Sequence, residues 1–155
     1  DTKSGNIISI LEKGSILSQL EIEHILSNAN SAISVLEGAD QLFGWFGYWP
    51  TFHDAEIIEL HLKRQGYSLL KIHTWHTSHK IDQQGLYEQD KHAIVTFQIN
   101  DISDLELHNF NHQNVIAGLA VKPVETGFQL TIVDCYGLAG NIVAENISIA
   151  IASAP

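Results

Sequence analysis

The sequence predicts an α+β fold, with N-terminal helices followed by about seven mainly antiparallel strands that form a curved sheet or a flattened sandwich. Two patterns carry this prediction. Apolar residues recur at mostly helical spacing before residue 46, and apolar and polar residues alternate from residue 55 onwards. No helix-length pattern lies between the alternating segments, so parallel crossovers are not expected.

The helical pattern falls into two pieces. Residues 16–26 carry apolar side chains at mostly helical spacing, and the amide-rich residues after them end the pattern. Residues 33–36 are too few for periodicity to distinguish helix from strand. After Gly38, Asp40 is the predicted N-cap of a second helix. The residues of that helix predicted to face the core are Leu42, Phe43 and Phe46.

The alternating segments define the predicted strands. They are residues 55–62, 70–75, 93–99, 105–110, 115–122, 128–135 and 142–152. The side chains predicted to point inward include Ile58, Leu60, Val95, Phe97, Leu119, Leu130 and Ile149. Residues 77–91 form a long polar connection in this prediction, and residues 101–104 form a turn.

Length and composition limit the classes of protein that fit. A chain of 155 residues has the size of one domain, which we divide into a helical extension over residues 1–37, packed on the core, and a β-rich unit over residues 38–155. Cys135 is the only cysteine, which excludes an intramolecular disulfide and suits a reducing cytoplasm. No apolar run approaches the roughly 20 residues needed to span a bilayer.

The formal net charge is −10. Such a charge repels nucleic acid and anionic lipid, so we expect neither as a partner. It attracts a basic protein, although acidity that only keeps the chain in solution is the simpler interpretation.

Residues 46–62 separate the helical part of the chain from the strands. Pro50 pushes Trp49 away from helical dihedral angles, so any preceding helix ends here. The aromatic side chains around it have the size to fill one end of a core. His53 and Asp54 follow directly, beside apolar bulk, where a pKa can be shifted and used.

The string Trp-Pro-Thr-Phe-His-Asp-Ala-Glu-Ile over residues 49–57 resembles the immunity protein 50 family of bacterial polymorphic toxin systems. In that family a Trp-Pro-Ser-Phe-His-Asp-Ala-Glu string opens the strands of the domain, and Thr51 stands here where Ser is frequent. Phe110-Asn111 and Gln113-Asn114 match a second, weaker pattern. The similarity covers residues 38 to 150, roughly. It implies a protein without a reaction of its own, which neutralises a cognate toxin by stoichiometric occlusion; basic nucleases are one class of such toxins.

Nine histidines make a metal-binding protein the first alternative. His73 and His76 would point to opposite faces of a strand and could not share an ion. His53 and Asp54, joined by His61 or His112, would offer ligands that suit zinc or iron, but no spacing such as HExxH supports this. We therefore predict no metal and no cofactor.

A hydrolase built on His53 and Asp54 is the second alternative. Adjacent residues on an extended strand point apart, and no GxSxG motif supplies a nucleophile. Cys135 lies late in an apolar strand, which favours a small buried hydrophobe over a nucleophile. We therefore predict no catalytic residue. A structural or regulatory module without a toxin partner is a third alternative.

The predicted partner-binding or motif residues come from two segments that we expect to pack together at one end of the sheet. They are Trp49, Pro50, Phe52, His53, Asp54, Glu56, Asn111, Gln113 and Asn114. The Asn and Gln side chains are expected to satisfy backbone groups that the first segment leaves unpaired. His53 is expected to pack on Trp49 or Phe52. The Asp54 carboxylate is expected to accept hydrogen bonds from the turn, so that Asp54→Ala would cost roughly 1 to 3 kcal/mol.

Overall fold

The structure, a computed structural model, describes residues 33–155 together with Leu20. In this part of the chain one α-helix precedes six strands, and the fold is mostly β. The elements are α1 (Ala39–Phe46), β1 (Glu56–His61), β2 (Ser68–Ile81), β3 (Tyr87–His108), β4 (Val115–Val124), β5 (Gly127–Tyr136) and β6 (Ala139–Ser153). No helix within the described ranges is long and apolar enough to cross a membrane.

The six strands form one sheet that closes on itself in the order β1-β2-β3-β6-β5-β4. Every neighbouring pair is antiparallel. Inward side chains of the strands and of α1 form one apolar core, in which Leu42, Leu70, Phe97 and Leu130 are fully buried. The apolar and polar residues that alternate in the sequence therefore correspond to the inner and outer faces of a barrel.

The β1–β4 pair closes the barrel and is its shortest ladder. One pair of residues, Glu56 and Val115, lies in register. Three further backbone hydrogen bonds extend the contact: Asp54 N–H to Ile116 O, Ile57 N–H to Asn114 O, and Ile116 N–H to Ala55 O, each 2.9 Å long. We call residues 54–57 with residues 114–116 the closing seam.

The predicted α+β class is wrong, although the antiparallel sheet is confirmed. The structure has a closed six-stranded barrel instead of about seven strands in a curved sheet or flattened sandwich. One predicted strand, residues 93–99, and most of another, residues 105–110, belong to the single strand β3, which ends at His108. Asp101 takes a left-handed φ of 57°, and the register shifts between Ile102 and Asp104, so a β-bulge absorbs the polar residues that we expected to turn the chain. The helix predicted over residues 16–26 lies outside the described residues.

The predicted polar connection over residues 77–91 is also wrong. β2 continues to Ile81 and β3 begins at Tyr87, so most of this segment forms the two arms of a hairpin. The turn itself is short, and the Asp82 carboxylate accepts the N–H groups of Gln84 (2.8 Å) and Leu86 (3.0 Å). Polar residues occur along both arms because the arms are exposed to solvent, not because they form a loop.

The predicted inward direction is confirmed for most strand residues and wrong for Ile58. Val95, Phe97, Leu119, Leu130 and Ile149 are buried, and Leu60 packs partly against them. Ile58 is 51% exposed, whereas Ile57 is only 5% exposed. The register of β1 shifts between Ile57 and Glu59, so a bulge reverses the expected alternation at this point.

Helix α1 begins differently from the prediction. Gly38, with φ of 86°, is the N-cap residue, no side chain caps the helix, and Asp40 lies in its first turn. Of the three residues predicted to face the core, Leu42 and Phe46 are buried but Phe43 is 44% exposed. The preceding residue, Glu37, accepts the N–H of Ile149 at 2.8 Å, which brings the backbone at Gly38 against β6.

The two glycines at and within α1 give a matched test of this packing. A Cβ at Gly38 would overlap the carbonyl group of Ile149 in a backbone conformation that L-residues avoid, whereas a Cβ at Gly44 meets nothing within 4 Å. We expect Gly38→Ala to destabilise the fold by more than about 2 kcal/mol. Gly44→Ala, in a helix interior, is expected to stabilise it by about 0.5 to 1 kcal/mol. Urea unfolding measures both, and equal effects would contradict the placement of Glu37 and Gly38 on β6.

Candidate functional site

The segment after α1 forms a tight turn over residues 52–55, which we call the motif turn. Ala55 N–H donates to Phe52 O at 3.0 Å, and Asp54, the third residue, has a left-handed φ of 66°. A positive φ at this position is the requirement of a type II turn, and Asp tolerates it better than most residues. Phe52 is also left-handed, with φ of 62°. These two residues reverse the chain so that it enters β1 already bonded to β4.

The aromatic residues of this segment are mainly part of the fold. Phe52 is 2% exposed and its ring centroid lies 5.9 Å from that of Phe97. Trp49 is partly buried, 5.2 Å from the ring of Phe43, and Pro50 is buried. Pro50 and Phe52 are therefore buried residues that shape the motif turn and the chain before it, and they present no surface of their own.

The exposed residues of the motif turn meet β5. His53, Asp54 and Cys135 each place one ligand-type atom within 4.8 Å of the others. The His53 Nε2 atom lies 3.5 Å from Asp54 Oδ1, with the two side chains 59% and 65% exposed. The expectation that these adjacent side chains point apart is wrong, because the left-handed Asp54 is in a turn and not in an extended strand.

The imidazole of His53 is held against β4. Its Nδ1 lies 3.0 Å from the carbonyl oxygen of Ala117. Because a carbonyl oxygen only accepts, Nδ1 carries the proton of this bond and Nε2 faces Asp54. No ring contact of His53 with Trp49 or Phe52 is found among the described residues, so β4, not the aromatic residues, positions this side chain.

This arrangement differs from a nucleophilic triad. In a triad the nucleophile faces one imidazole nitrogen and the carboxylate faces the other. Here Asp54 lies on the Nε2 side, and Nδ1 is engaged by a backbone carbonyl. Partial desolvation raises the pKa of the Cys135 thiol, and Asp54 and Asp134 raise it further. A raised pKa disfavours the thiolate that a cysteine nucleophile requires.

Cys135 itself is exposed, so its predicted burial is wrong. In β5 the buried residues end at Val133, and the last three residues of the strand are exposed. The strand therefore leaves the core after Val133, before it reaches Cys135.

Residues 111–114, which we call the amide segment, lie beside the motif turn, but their side chains do not bond its backbone groups. The buried Asn114 Oδ1 accepts the N–H groups of Leu138 (3.0 Å) and Asn111 (3.2 Å), and its Nδ2 donates to Asn111 O (2.8 Å). The hydrogen bonds that join residues 114–116 to residues 54–57 are made by backbone groups, those of the closing seam. The expected amide-to-turn bonding is therefore wrong, and Asn114 connects the start of β4 with the start of β6.

The Asp54 carboxylate likewise accepts no backbone hydrogen bond from the turn in the described structure; its neighbour is His53. The backbone N–H of Asp54 donates to Ile116 instead. The destabilisation expected for Asp54→Ala on the ground of a stranded buried donor therefore does not apply.

A row of exposed and partly exposed side chains crosses the outside of the closing seam. Glu56 pairs with His73 on β2 and with Val115 on β4, and Val115 pairs with Tyr136 on β5. Glu56 is exposed and Tyr136 is 54% exposed. His73 Nε2 lies 3.1 Å from Nδ1 of His92, and the centroid of the Trp75 ring lies 5.1 Å from that of His73 and 5.8 Å from that of His92, both in tilted arrangements. We call Glu56, His73, Val115 and Tyr136 the outer row.

Sequence reasoning missed most of the outer row. The motif includes Glu56, whereas the sequence suggests His73 only as a metal ligand and gives no signal for Tyr136. These residues become neighbours through the registers in which β1, β2, β4 and β5 pair, and no spacing in the sequence predicts those registers. His73 and His76 do have different partners, since His76 Nδ1 lies 2.6 Å from Asp90 Oδ1.

The fold and this region define a small antiparallel barrel whose motif turn is bonded into the strand pair that closes it. The chain belongs to the immunity protein 50 family, whose model matches residues 38–153. Curated proteins and solved structures gave no significant match. The matched range begins at Gly38, immediately before α1, and includes all six strands.

The first prediction from this region concerns Asn114. Asn114→Ala leaves the buried N–H of Leu138 without its acceptor, so we expect a loss of about 1 to 3 kcal/mol in the free energy of unfolding. Gln113→Ala, an exposed neighbour, is expected to change it by less than about 0.5 kcal/mol. Chemical denaturation of the two variants measures this difference. Equal stabilities would show that Asn114 does not hold β6.

A second prediction concerns the Cys135 thiol. Because its pKa is raised, we expect alkylation by iodoacetamide, with a metal chelator present, to become fast only at a more alkaline pH than for an ordinary cysteine. Asp54→Asn removes one of the charges that raise the pKa, so its rate profile is expected to move toward lower pH. Glu125→Gln, at the β4–β5 turn, is the matched control. A profile unchanged by Asp54→Asn would contradict the placement of Asp54 beside the thiol.

Proposed function

We propose that this protein is the immunity component of a bacterial polymorphic toxin system. It binds its cognate toxin in the cytoplasm and neutralises it by stoichiometric occlusion, without a reaction of its own. Membership of the immunity protein 50 family is the observation that carries this proposal. The arrangement of His53, Asp54 and Cys135, which differs from that of a triad, supports it over the alternative of a hydrolase.

The toxin-binding surface in this proposal is the outside of the closing seam. His53 and Asp54 are exposed there, next to Glu56 of the outer row. Tyr136 adds an exposed aromatic ring, a residue type that often dominates the binding energy of interfaces. Because the motif turn is bonded to β4 on both sides of Ala55, these exposed groups are held in place before a partner arrives.

The charge of the barrel favours a basic toxin. Of the 18 acidic residues of the chain, 14 lie in residues 33–155, against six of the eight basic residues. Asp54, Glu56 and Asp134 lie on or beside the closing seam and are exposed. Such a field speeds the encounter with a positively charged partner, and a basic nuclease is the toxin class that it suits best.

The proposed immunity domain comprises residues 38–155, and residues 1–37 are its N-terminal extension. The described end of that extension packs on the barrel. Ile33 and Leu36 are 1% and 5% exposed and belong to the same core as the strands. Truncation of the chain to residues 38–155 would therefore expose apolar surface.

The test uses the toxin encoded by the reading frame next to this gene. We expect co-expression of the full chain to restore growth and the purified proteins to form a one-to-one complex. Glu56→Lys is expected to slow association about tenfold at low salt, with a smaller effect at high salt, and to leave the melting temperature unchanged. Tyr136→Ala is expected to speed dissociation. Stopped-flow or surface-based kinetics separates the two rates.

Glu125→Lys is the control, because it makes the same charge change at the opposite end of β4. Equal slowing by Glu125→Lys and Glu56→Lys would place the interface elsewhere and leave only a general effect of net charge. Failure of the full chain to bind or to neutralise the neighbouring toxin would overturn the proposal itself.

A further inference from the structure

We propose that His53, Asp54 and Cys135 bind a Zn²⁺ ion on the surface of the barrel. The three residues come from the motif turn and from β5, which are far apart in the sequence. Their ligand atoms lie within 4.8 Å of one another. Convergence of an imidazole, a carboxylate and a thiol is the first requirement of such a site.

The hydrogen bond of His53 is the second, independent observation. Its Nδ1 donates to Ala117 O, so Nε2 is the ring nitrogen left for a metal ion. Nε2 lies 3.5 Å from Asp54 Oδ1, so the two ligand atoms face each other across a gap that one shared cation fills. A histidine oriented through its other nitrogen by a backbone carbonyl is the usual arrangement of a zinc ligand.

The distances and the types of donor atom select zinc. Ligands at about 2.0 to 2.1 Å around a tetrahedral ion are about 3.4 Å apart, close to the observed 3.5 Å between His53 Nε2 and Asp54 Oδ1. The Cys135 side chain is exposed, so rotation about its χ1 angle can bring the sulfur closer. A mixed nitrogen, oxygen and sulfur set suits Zn²⁺ better than Mg²⁺ or Ca²⁺, which prefer oxygen ligands.

The sequence predicts no metal here, because no ligand spacing such as HExxH supports one. It also predicts that Cys135 is buried and that His53 and Asp54, as neighbours on an extended strand, point apart. In the structure the left-handed Asp54 lies in a turn, its carboxylate lies 3.5 Å from His53 Nε2, and Cys135 is exposed. The three ligands therefore converge through the fold, without a sequence motif for a metal site.

This inference goes beyond the proposed function and is tested on the isolated full chain, without a toxin. The chain is purified without a polyhistidine tag, kept reduced, and titrated with Co²⁺ as a spectroscopic substitute for zinc. We expect one ion per chain, a thiolate-to-cobalt charge-transfer band in the near ultraviolet, and visible bands of the intensity typical of four-coordinate cobalt. Competition with Zn²⁺ is expected to remove all of these bands.

Two ligand variants and one control complete the experiment. Cys135→Ser is expected to abolish the charge-transfer band, and both it and His53→Ala to weaken Zn²⁺ binding at least tenfold. Cys135→Ser changes an exposed side chain and keeps the fold intact, so its result stands even where His53→Ala lowers the melting temperature. His79→Ala, an exposed histidine on the β2–β3 hairpin, is expected to leave affinity unchanged. Binding of zinc with equal affinity by wild type and Cys135→Ser, or no binding at all, would overturn the inference.

Discussion

The barrel depends on a short set of backbone hydrogen bonds between the motif turn and the start of β4. The other neighbouring strands pair over long ladders, whereas β1 and β4 have one residue pair in register and three flanking bonds. Each such bond contributes a net of about 0.5 to 1.5 kcal/mol, so the closing seam has little stability of its own. The burial of Phe52 and Ile57 beneath it also stabilises closure.

Backbone irregularities determine what the barrel exposes. The left-handed residues Phe52 and Asp54 allow one side chain of the motif turn to enter the core while the next two stay in solvent. The bulge after Ile57 then exposes Ile58 and shifts the register of β1. Left-handed conformations and bulges cost energy or interrupt the ladder, and they concentrate at functional positions in many proteins. Here they lie at the place where exposed titratable groups gather.

The same region combines two roles that act through different residues. Phe52 and Asn114 hold the fold, since one fills the core and the other satisfies buried backbone groups. Glu56 is exposed, and His53 is exposed apart from the Nδ1 hydrogen bond that it makes to the Ala117 carbonyl of β4. A family motif of this kind therefore mixes structural and surface residues, and only the exposed ones are candidates for direct contact with a partner. Substitution of a buried residue of the motif therefore tests stability, and substitution of an exposed neighbour tests binding.

The sequence by itself determined the strand periodicity, the inward direction of residues such as Val95 and Leu119, the antiparallel pairing and the family, because these follow from local alternation and from one contiguous string of residues. The sequence wrongly predicted a turn at Asp101 and an inward side chain at Ile58. At both places a bulge changes the alternation, and a bulge has no distinctive residue pattern. The sequence also did not predict that Cys135 lies beside His53 and Asp54, or that Tyr136 and Glu56 flank Val115. These placements depend on the register of β4 against both β1 and β5. Register is fixed only when the whole sheet closes around its core, which is why the tertiary structure alone decided the surface of the site.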